Sequence, residues 1–166
     1  MPIRNLSDAQ NLLPRGQKYM GLDVGKKTIG IAIGDPNHVI ASPHRILWRQ
    51  KFTSDMADLF AEMDKLSVGG LIVGWPLNMD GSTGPRCDST RDFCYSLMKL
   101  RDVPVIFHDE RLSTAAVERA MLSADMTRKR RHEKRDALAA SWILQSAFDR
   151  MAQGFIIQND DDVSQD

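Results

Sequence analysis

Three separated carboxylates, those of Asp23, Glu110 and Asp136, are the side chains whose types and positions best suit chemistry. Asp23 interrupts an apolar segment immediately before a glycine turn at residues 24–26. A carboxylate in such a place is costly unless it is hydrated, paired or bound to a cation. The sequence therefore predicts either a cation ligand or an aspartate that caps the turn through the neighbouring backbone.

Two adjacent acids, Asp109 and Glu110, follow a predicted buried strand. The carboxyl ends of strands are where α/β sheets place functional groups, which favours a role in a site. Because side chains alternate along a strand, the two carboxylates point to opposite faces, and only one of them faces a shared site. The competing interpretation is that they favour the dipole of the next helix, with Arg111 as an ion-pair partner.

Asp136 lies in the first turn of a predicted helix that is rich in small residues, with Ala137, Ala139 and Ala140 directly after it. An acid in the first turn also stabilises a helix through its dipole, which is the alternative role. The small side chains predict that this helix packs close to the sheet and brings Asp136 near the strand ends.

Taken together, the three carboxylates predict a site for a hard divalent cation. Oxygen ligands suit Mg²⁺ or Mn²⁺. Zinc is disfavoured, because the four histidines are scattered and the two cysteines, Cys87 and Cys94, lack metal-ligand spacing.

Basic side chains lie beside the candidate ligands and predict contacts with nucleic-acid phosphates. A charge run is most often a solvated surface, but this one comes directly before Asp136. Segment 125–133 is predicted to be a mobile loop. The candidate nucleic-acid-binding residues are Lys26, Lys27, Arg111, Arg128, Lys129, Arg130, Arg131, Lys134 and Arg135.

The pattern of apolar residues predicts the elements that position these side chains. The predicted strands are 19–23, 27–35, 38–47, 70–74 and 103–108, and the predicted helices lie near 53–67, 85–100, 113–122 and 134–151. Pro43 interrupts the third strand, which is typical of a sheet edge. A meander followed by strand–helix units predicts a single-domain α/β fold with a mixed sheet and helices on both faces. Loop 74–84 suits either a phosphate at a helix N-terminus or a long connection with good turn chemistry.

Composition bounds the class of protein. With 166 residues, 42% hydrophobic and 27% charged, the chain fits one folded domain, predicted at 18–152 between a lead-in (1–17) and an unstructured acidic tail (153–166). No apolar run is long enough for a membrane span, no secretory signal is evident, and two cysteines make no disulfide framework, so a cytoplasmic protein is expected. The 22 basic and 22 acidic residues balance, but the acidic tail leaves the rest of the chain net basic.

Four motifs, in order over residues 18–150, resemble the RuvX family, also called the YqgF or Holliday-junction-resolvase-like family. They are GLDVG-x-K-x-IG-x-A from Gly21, G-x-PLNMDGS from Gly74, DERLST from Asp109, and D-x-LAA-x-x-ILQ from Asp136. The resemblance implies a ribonuclease-H-like fold with a five-stranded sheet in the order 3-2-1-4-5. It also places the family's acidic positions on Asp23, Glu110 and Asp136.

The resemblance implies a metal-dependent nuclease that hydrolyses phosphodiester bonds in 5′-end maturation of pre-16S rRNA, a step in ribosome biogenesis. The alternatives are a Holliday junction resolvase acting on branched DNA and a ribosome-assembly factor that binds nucleic acid without cutting it. An actin-like or sugar-kinase ATPase needs two such domains and leaves Asp136 unexplained. The candidate partners are structured RNA, branched DNA and a second copy of the chain in a homodimer, with no membrane.

Overall fold

A five-stranded mixed sheet is the centre of the molecule. The structure, a computed structural model, describes residues 3–78, 80–109 and 128–163, and within the last of these segments the side chains of 136–153. The strands are β1 (Lys18–Val24), β2 (Thr28–Gly34), β3 (Ala41–Trp48), β4 (Val68–Trp75) and β5 (Val105–Asp109). Their order is β3-β2-β1-β4-β5, which confirms the predicted order. The β1–β2 and β2–β3 pairs are antiparallel, and β4 lies parallel to both β1 and β5.

Helices cover both faces of the sheet, as predicted. The described helices are α1 (Ala9–Leu12), α2 (Phe52–Leu66), α3 (Pro85–Leu100) and α4 (Arg128–Val163), with a 3-10 turn at Leu6–Asp8 before α1. One apolar core lies between the sheet and α2 and α3, and a second lies between the sheet, α4 and the N-terminal segment. None of the described helices has both the length and the apolar composition that crossing a membrane requires.

The alternation in β2 decides which residues enter each core. Ile29 and Ile31 are buried toward α2 and α3, whereas Ala32 is buried toward α4. Gly30 lies on the α4 side with Ala32, because side chains alternate along a strand. Small residues on that side leave room for the backbone of α4 to come close to the sheet.

The last helix is longer than predicted at both ends. Residues 128–133 form the start of α4 rather than a loop, and the helical backbone continues past residue 151 to Val163, into the acidic segment predicted to be unstructured. Arginine, lysine and glutamate favour helix, and no proline interrupts this stretch. Residues 125–127 and the predicted helix near 113–122 lie outside the described residues.

Candidate functional site

Asp23 lies near the end of β1, the central strand. Its neighbour Leu22 is buried in the core under α2 and α3, so Asp23 projects toward the face that carries α4. The strand register pairs Asp23 with Gly30 of β2. Asp23 is half-buried.

Asp136 comes to this place because α4 rests directly on the sheet. A Cβ atom added at Gly30 would lie 1.9 Å from the carbonyl oxygen of Asp136, and one added at Gly21 would lie 2.9 Å from that of Ala140. Directly paired residues have Cα atoms about 5 Å apart. The backbone of Asp136 therefore sits over the strand neighbour of Asp23, which confirms the predicted close packing of the alanine-rich helix.

Thr28 orients the carboxylate of Asp136. Its hydroxyl donates a hydrogen bond to Oδ2 of Asp136, although the two residues are 108 positions apart in the chain. Thr28 begins β2, two residues before Gly30 and on the same face of the sheet. Sequence reasoning missed this residue. Its only signal was the alternation that places Thr28 and Gly30 on one side.

The end of β5 sets the direction in which Asp109 points. Phe107 packs against the core under α2 and α3 and stacks on Trp75 with ring centroids 4.5 Å apart. Asp109, two residues further along, shares that face and so lies on the opposite side of the sheet from Asp23. Asp109 therefore does not face the candidate site. Glu110 and Arg111 lie outside the described residues.

His108 lies on the α4 side of β5 and joins the helix to the sheet. Its Nε2 lies 2.9 Å from Oγ of Ser146. Burial lowers the pKa of His108, and the charge of Arg150 lowers it further, while Asp109 opposes both. The imidazole is therefore neutral near neutral pH. Sequence reasoning grouped His108 with the acids that follow it and did not foresee this docking role.

The turn between β1 and β2 presents two cations beside Asp23. Lys26 and Lys27 are both exposed. The turn is held by a hydrogen bond from the Gly25 amide to the Thr28 carbonyl (2.9 Å). The predicted basic residues at 128–135 lie in the part of α4 that leads into Asp136. The structure describes their backbone but not their side chains.

The loop after β4 begins at the same end of the sheet, because β4 is parallel to β1. Its polar groups form hydrogen bonds with one another. The Asn78 side chain donates to Oγ of Ser82 (3.1 Å), and the Ser82 amide donates to Asp80 (2.9 Å). Gly81 has a φ of +88°, which favours glycine. These bonds support the interpretation of the loop as a well-built turn before α3.

The donor set fits a hard cation. Asp23 and Asp136 supply carboxylate oxygens on one face of the sheet, and such ligands suit Mg²⁺ or Mn²⁺. Within the described part of the chain, no group of three histidine, cysteine, aspartate or glutamate residues is placed to hold a metal. The third predicted ligand, Glu110, lies outside that part.

A five-stranded mixed sheet in this order, with helices on both faces, has the ribonuclease-H-like fold. The same fold occurs in a solved structure of T. thermophilus RuvC in complex with a Holliday junction substrate, with a TM-score of 0.52 and 13% identity. That match covers 82% of this chain and 96% of the other.

The chain belongs to the RuvX family, described as Holliday junction resolvase, whose sequence pattern matches residues 17–150. A relative from Rhodospirillum centenum is 49% identical over 93% of this chain and 85% of its own length. Another, from Rhodobacter capsulatus, is 50% identical over 89% of this chain and 92% of its own. Both are named "Putative pre-16S rRNA nuclease". This chain is a nuclease, a hydrolase of phosphodiester bonds.

Proposed function

We propose that this nuclease is a divalent-metal-dependent endonuclease that matures the 5′ end of pre-16S rRNA. The observation that carries the proposal is the placement of Asp23 and Asp136 on the same face of the sheet. Asp136 stands over Gly30, the strand partner of Asp23, and both lie beside the exposed lysines of the β1–β2 turn. Carboxylates next to cations suit a site that binds both a metal and a phosphate.

Each side chain has a distinct task in this proposal. Asp23 and Asp136 hold the cation, with Glu110 as the third ligand. A divalent cation held by these residues would supply Lewis acidity, which lowers the pKa of a water molecule and neutralises charge on the phosphate. Thr28 fixes the orientation of the Asp136 carboxylate through its hydroxyl. Lys26 and Lys27 bind the backbone phosphates on either side of the bond that is cut.

The choice of RNA follows the relatives at 49% and 50% identity, whose name refers to pre-16S rRNA. The likeness to RuvC is one of fold, at 13% identity. Phosphate contacts from lysine and arginine carry no sequence information, so we expect the shape of the RNA to matter more than its base sequence. The buried free thiols Cys87 and Cys94 agree with work in the reducing cytoplasm.

The test is a cleavage assay on a structured RNA that contains the precursor 5′ end and, in parallel, on a four-way DNA junction. We expect wild-type protein to cut the RNA only when Mg²⁺ or Mn²⁺ is present. Asp23→Asn keeps the shape of the side chain but removes its charge, and an amide is a poor ligand for a hard cation. This variant should lose cleavage while its affinity for the RNA stays unchanged or rises slightly.

The matched control is Asp92→Asn, because Asp92 is an exposed aspartate on α3, the helix on the other face of the sheet. It should cut like wild type. A thermal shift adds a readout that is independent of substrate: Mn²⁺ should raise the melting temperature of wild type and of Asp92→Asn but not of Asp23→Asn. Cleavage by Asp23→Asn at the wild-type rate would refute the catalytic assignment and favour the non-cutting assembly factor. Cutting of the DNA junction alone would favour the resolvase.

A further inference from the structure

The most exposed of the large apolar side chains in the described ranges is Trp48, the last residue of β3. Its relative exposure is 65%, whereas Leu47 beside it is 3% exposed and belongs to the core under α2 and α3. Because side chains alternate along a strand, Trp48 projects from the opposite face. An aromatic ring is therefore presented to solvent on the same side of the sheet as Asp23 and Asp136.

Strand pairing places Trp48 next to the candidate site. Its partner on β2 is Thr28, the residue that donates to Asp136. Asp23 lies two strands away from β3 and two residues along, since its own partner is Gly30. With a strand spacing of about 4.8 Å and a rise of about 3.3 Å per residue, the Cα atoms of Trp48 and Asp23 are about 12 Å apart. That separation suits the base of a nucleotide next to the one that is cut.

Hydrogen bonds of Arg49 join the end of β3, next to Trp48, to the lysine turn. The amide of Arg49, the next residue, donates to the carbonyl of Lys27 (2.8 Å). Its guanidinium Nη1 donates to the carbonyl of Gly25 (2.7 Å). The exposed indole therefore lies at the end of a strand that is bonded to the turn carrying the exposed Lys26 and Lys27, which brings an aromatic face and positive charge into one region of the surface.

We propose that Trp48 stacks on an unpaired nucleobase of the substrate while Lys26 and Lys27 bind the adjoining phosphates. A cationic surface with an exposed aromatic ring is how proteins bind single-stranded nucleic acid. Every base has an aromatic face, so this subsite selects an unpaired base rather than a particular sequence. The proposal rests on the proposed function only in identifying the strand as RNA. It adds that the bond which is cut lies beside a single-stranded segment.

The test measures binding apart from cleavage, in EDTA, with a short single-stranded RNA and its DNA equivalent. Trp48→Ala should weaken binding of both strands at least about fivefold, the lower end of what stacking on one base contributes. The dependence of affinity on salt should stay the same, because no phosphate contact is lost. Lys27→Gln should instead reduce the slope of log affinity against log salt by about one. Trp48→Phe keeps an aromatic face and should restore most of the affinity.

Two further measurements make the test specific. The control Tyr95→Ala removes a 47% exposed aromatic ring on α3, on the other face of the sheet, and should bind like wild type. The chain has three tryptophans, so Trp75→Phe combined with Trp142→Phe leaves Trp48 as the only indole. RNA should quench its fluorescence, and a strand with one abasic nucleotide at the contacted position should quench it less.

The outcomes separate this proposal from the function on which it draws. Unchanged affinity of Trp48→Ala, with normal metal-dependent cleavage, would overturn the stacking subsite and leave the nuclease assignment intact. Loss of affinity with no cleavage by any variant, wild type included, would support the subsite and refute the proposed reaction. A change from dimer to monomer on Trp48→Ala, seen by sedimentation without RNA, would also overturn the proposal, because the indole would then be covered by a second copy.

Discussion

At the scale of single residues, the hydroxyl of Thr28 decides how the Asp136 carboxylate is presented. A carboxylate rotates about its side-chain bonds, and a hydrogen bond to one oxygen leaves the other in a defined direction. Thr28 is held by the turn that its own carbonyl closes with the amide of Gly25. In the proposed metal site, a group that holds a ligand in this way would set the geometry without touching the substrate.

The variant Thr28→Val tests that role, because valine keeps the shape of threonine without its hydroxyl. Turnover should fall about ten- to 100-fold, as is usual when the partner of a metal ligand is removed. Affinity for RNA should stay at the wild-type value, and Thr28→Ser should restore turnover. Steady-state kinetics that separate kcat from KM provide the measurement. Equal turnover of Thr28→Val and wild type would show that the hydroxyl does not orient Asp136.

The sequence points to the acids of the candidate site more directly than to the residues that support them. Asp23 stands out because it interrupts an apolar strand, and Asp136 because small residues follow it. Thr28 and Trp48 have no such local signal. Their proposed roles depend on the pairing of two strands and on a helix more than 100 residues away from Thr28. A linear sequence pattern contains neither.

At the scale of elements, the contact between β2 and α4 holds the site together. Gly30 meets backbone atoms of α4, whereas a Cβ at Gly34 would meet the ring of Phe148 at 2.5 Å. Side-chain rings can shift within a core more easily than a helix backbone can. The two glycines of one strand thus offer a matched pair of substitutions.

We expect Gly30→Ala to destabilise the protein by more than Gly34→Ala. Overpacking a core usually costs about 1–3 kcal/mol, and a methyl group 1.9 Å from a carbonyl oxygen belongs at or above the top of that range. Gly30→Ala should also lower turnover, because α4 must move away and take Asp136 with it. Denaturant midpoints compare the two variants. Equal loss of stability in both would contradict a rigid contact at Gly30.

The alternation of small and branched residues made the strands predictable, and the position of Pro85 matched the start of α3. The start of α4 was harder to predict. A run of like charges is typical of a solvated loop, yet arginine and lysine also favour helix. Backbone propensity prevailed at 128–133, where no proline or glycine opposes it.

At the scale of the whole molecule, the N-terminal segment is part of the packed structure although the family pattern begins at residue 17. The buried hydroxyl of Tyr19 donates to the carbonyl of Ala9 (2.6 Å). Gln10 donates to the carbonyl of Met151, in the C-terminal half of α4 (2.9 Å). The segment therefore ties the first strand to the last helix.

Deletion of residues 2–16 should lower the free energy of unfolding by at least about 1–3 kcal/mol, because the Tyr19 hydroxyl loses its buried partner. The same deletion in a Tyr19→Phe background should cost less, since no hydroxyl is left unpaired. The rate at which a thiol reagent labels Cys94 measures how readily the core opens. Burial raises the pKa of Cys94 to about 12, so at neutral pH this thiol reacts when the core opens. Identical labelling rates for the deletion and the full chain would contradict an integral N-terminal segment.

The N-terminal segment also bears on aggregation, because it pairs with an edge strand of the sheet. The amide of Arg4 donates to the carbonyl of Val105 (2.8 Å), and Arg4 forms a parallel bridge with Ile106. At the opposite edge of the sheet, β3 contains Pro43, which lies where the pairing with β2 shifts register. Edge strands with unpaired backbone groups can pair with strands of other molecules and so start aggregation. Here Arg4 of the chain itself pairs with one edge and Pro43, which lacks an amide hydrogen, interrupts the other, so both edges offer fewer backbone groups to a neighbouring molecule.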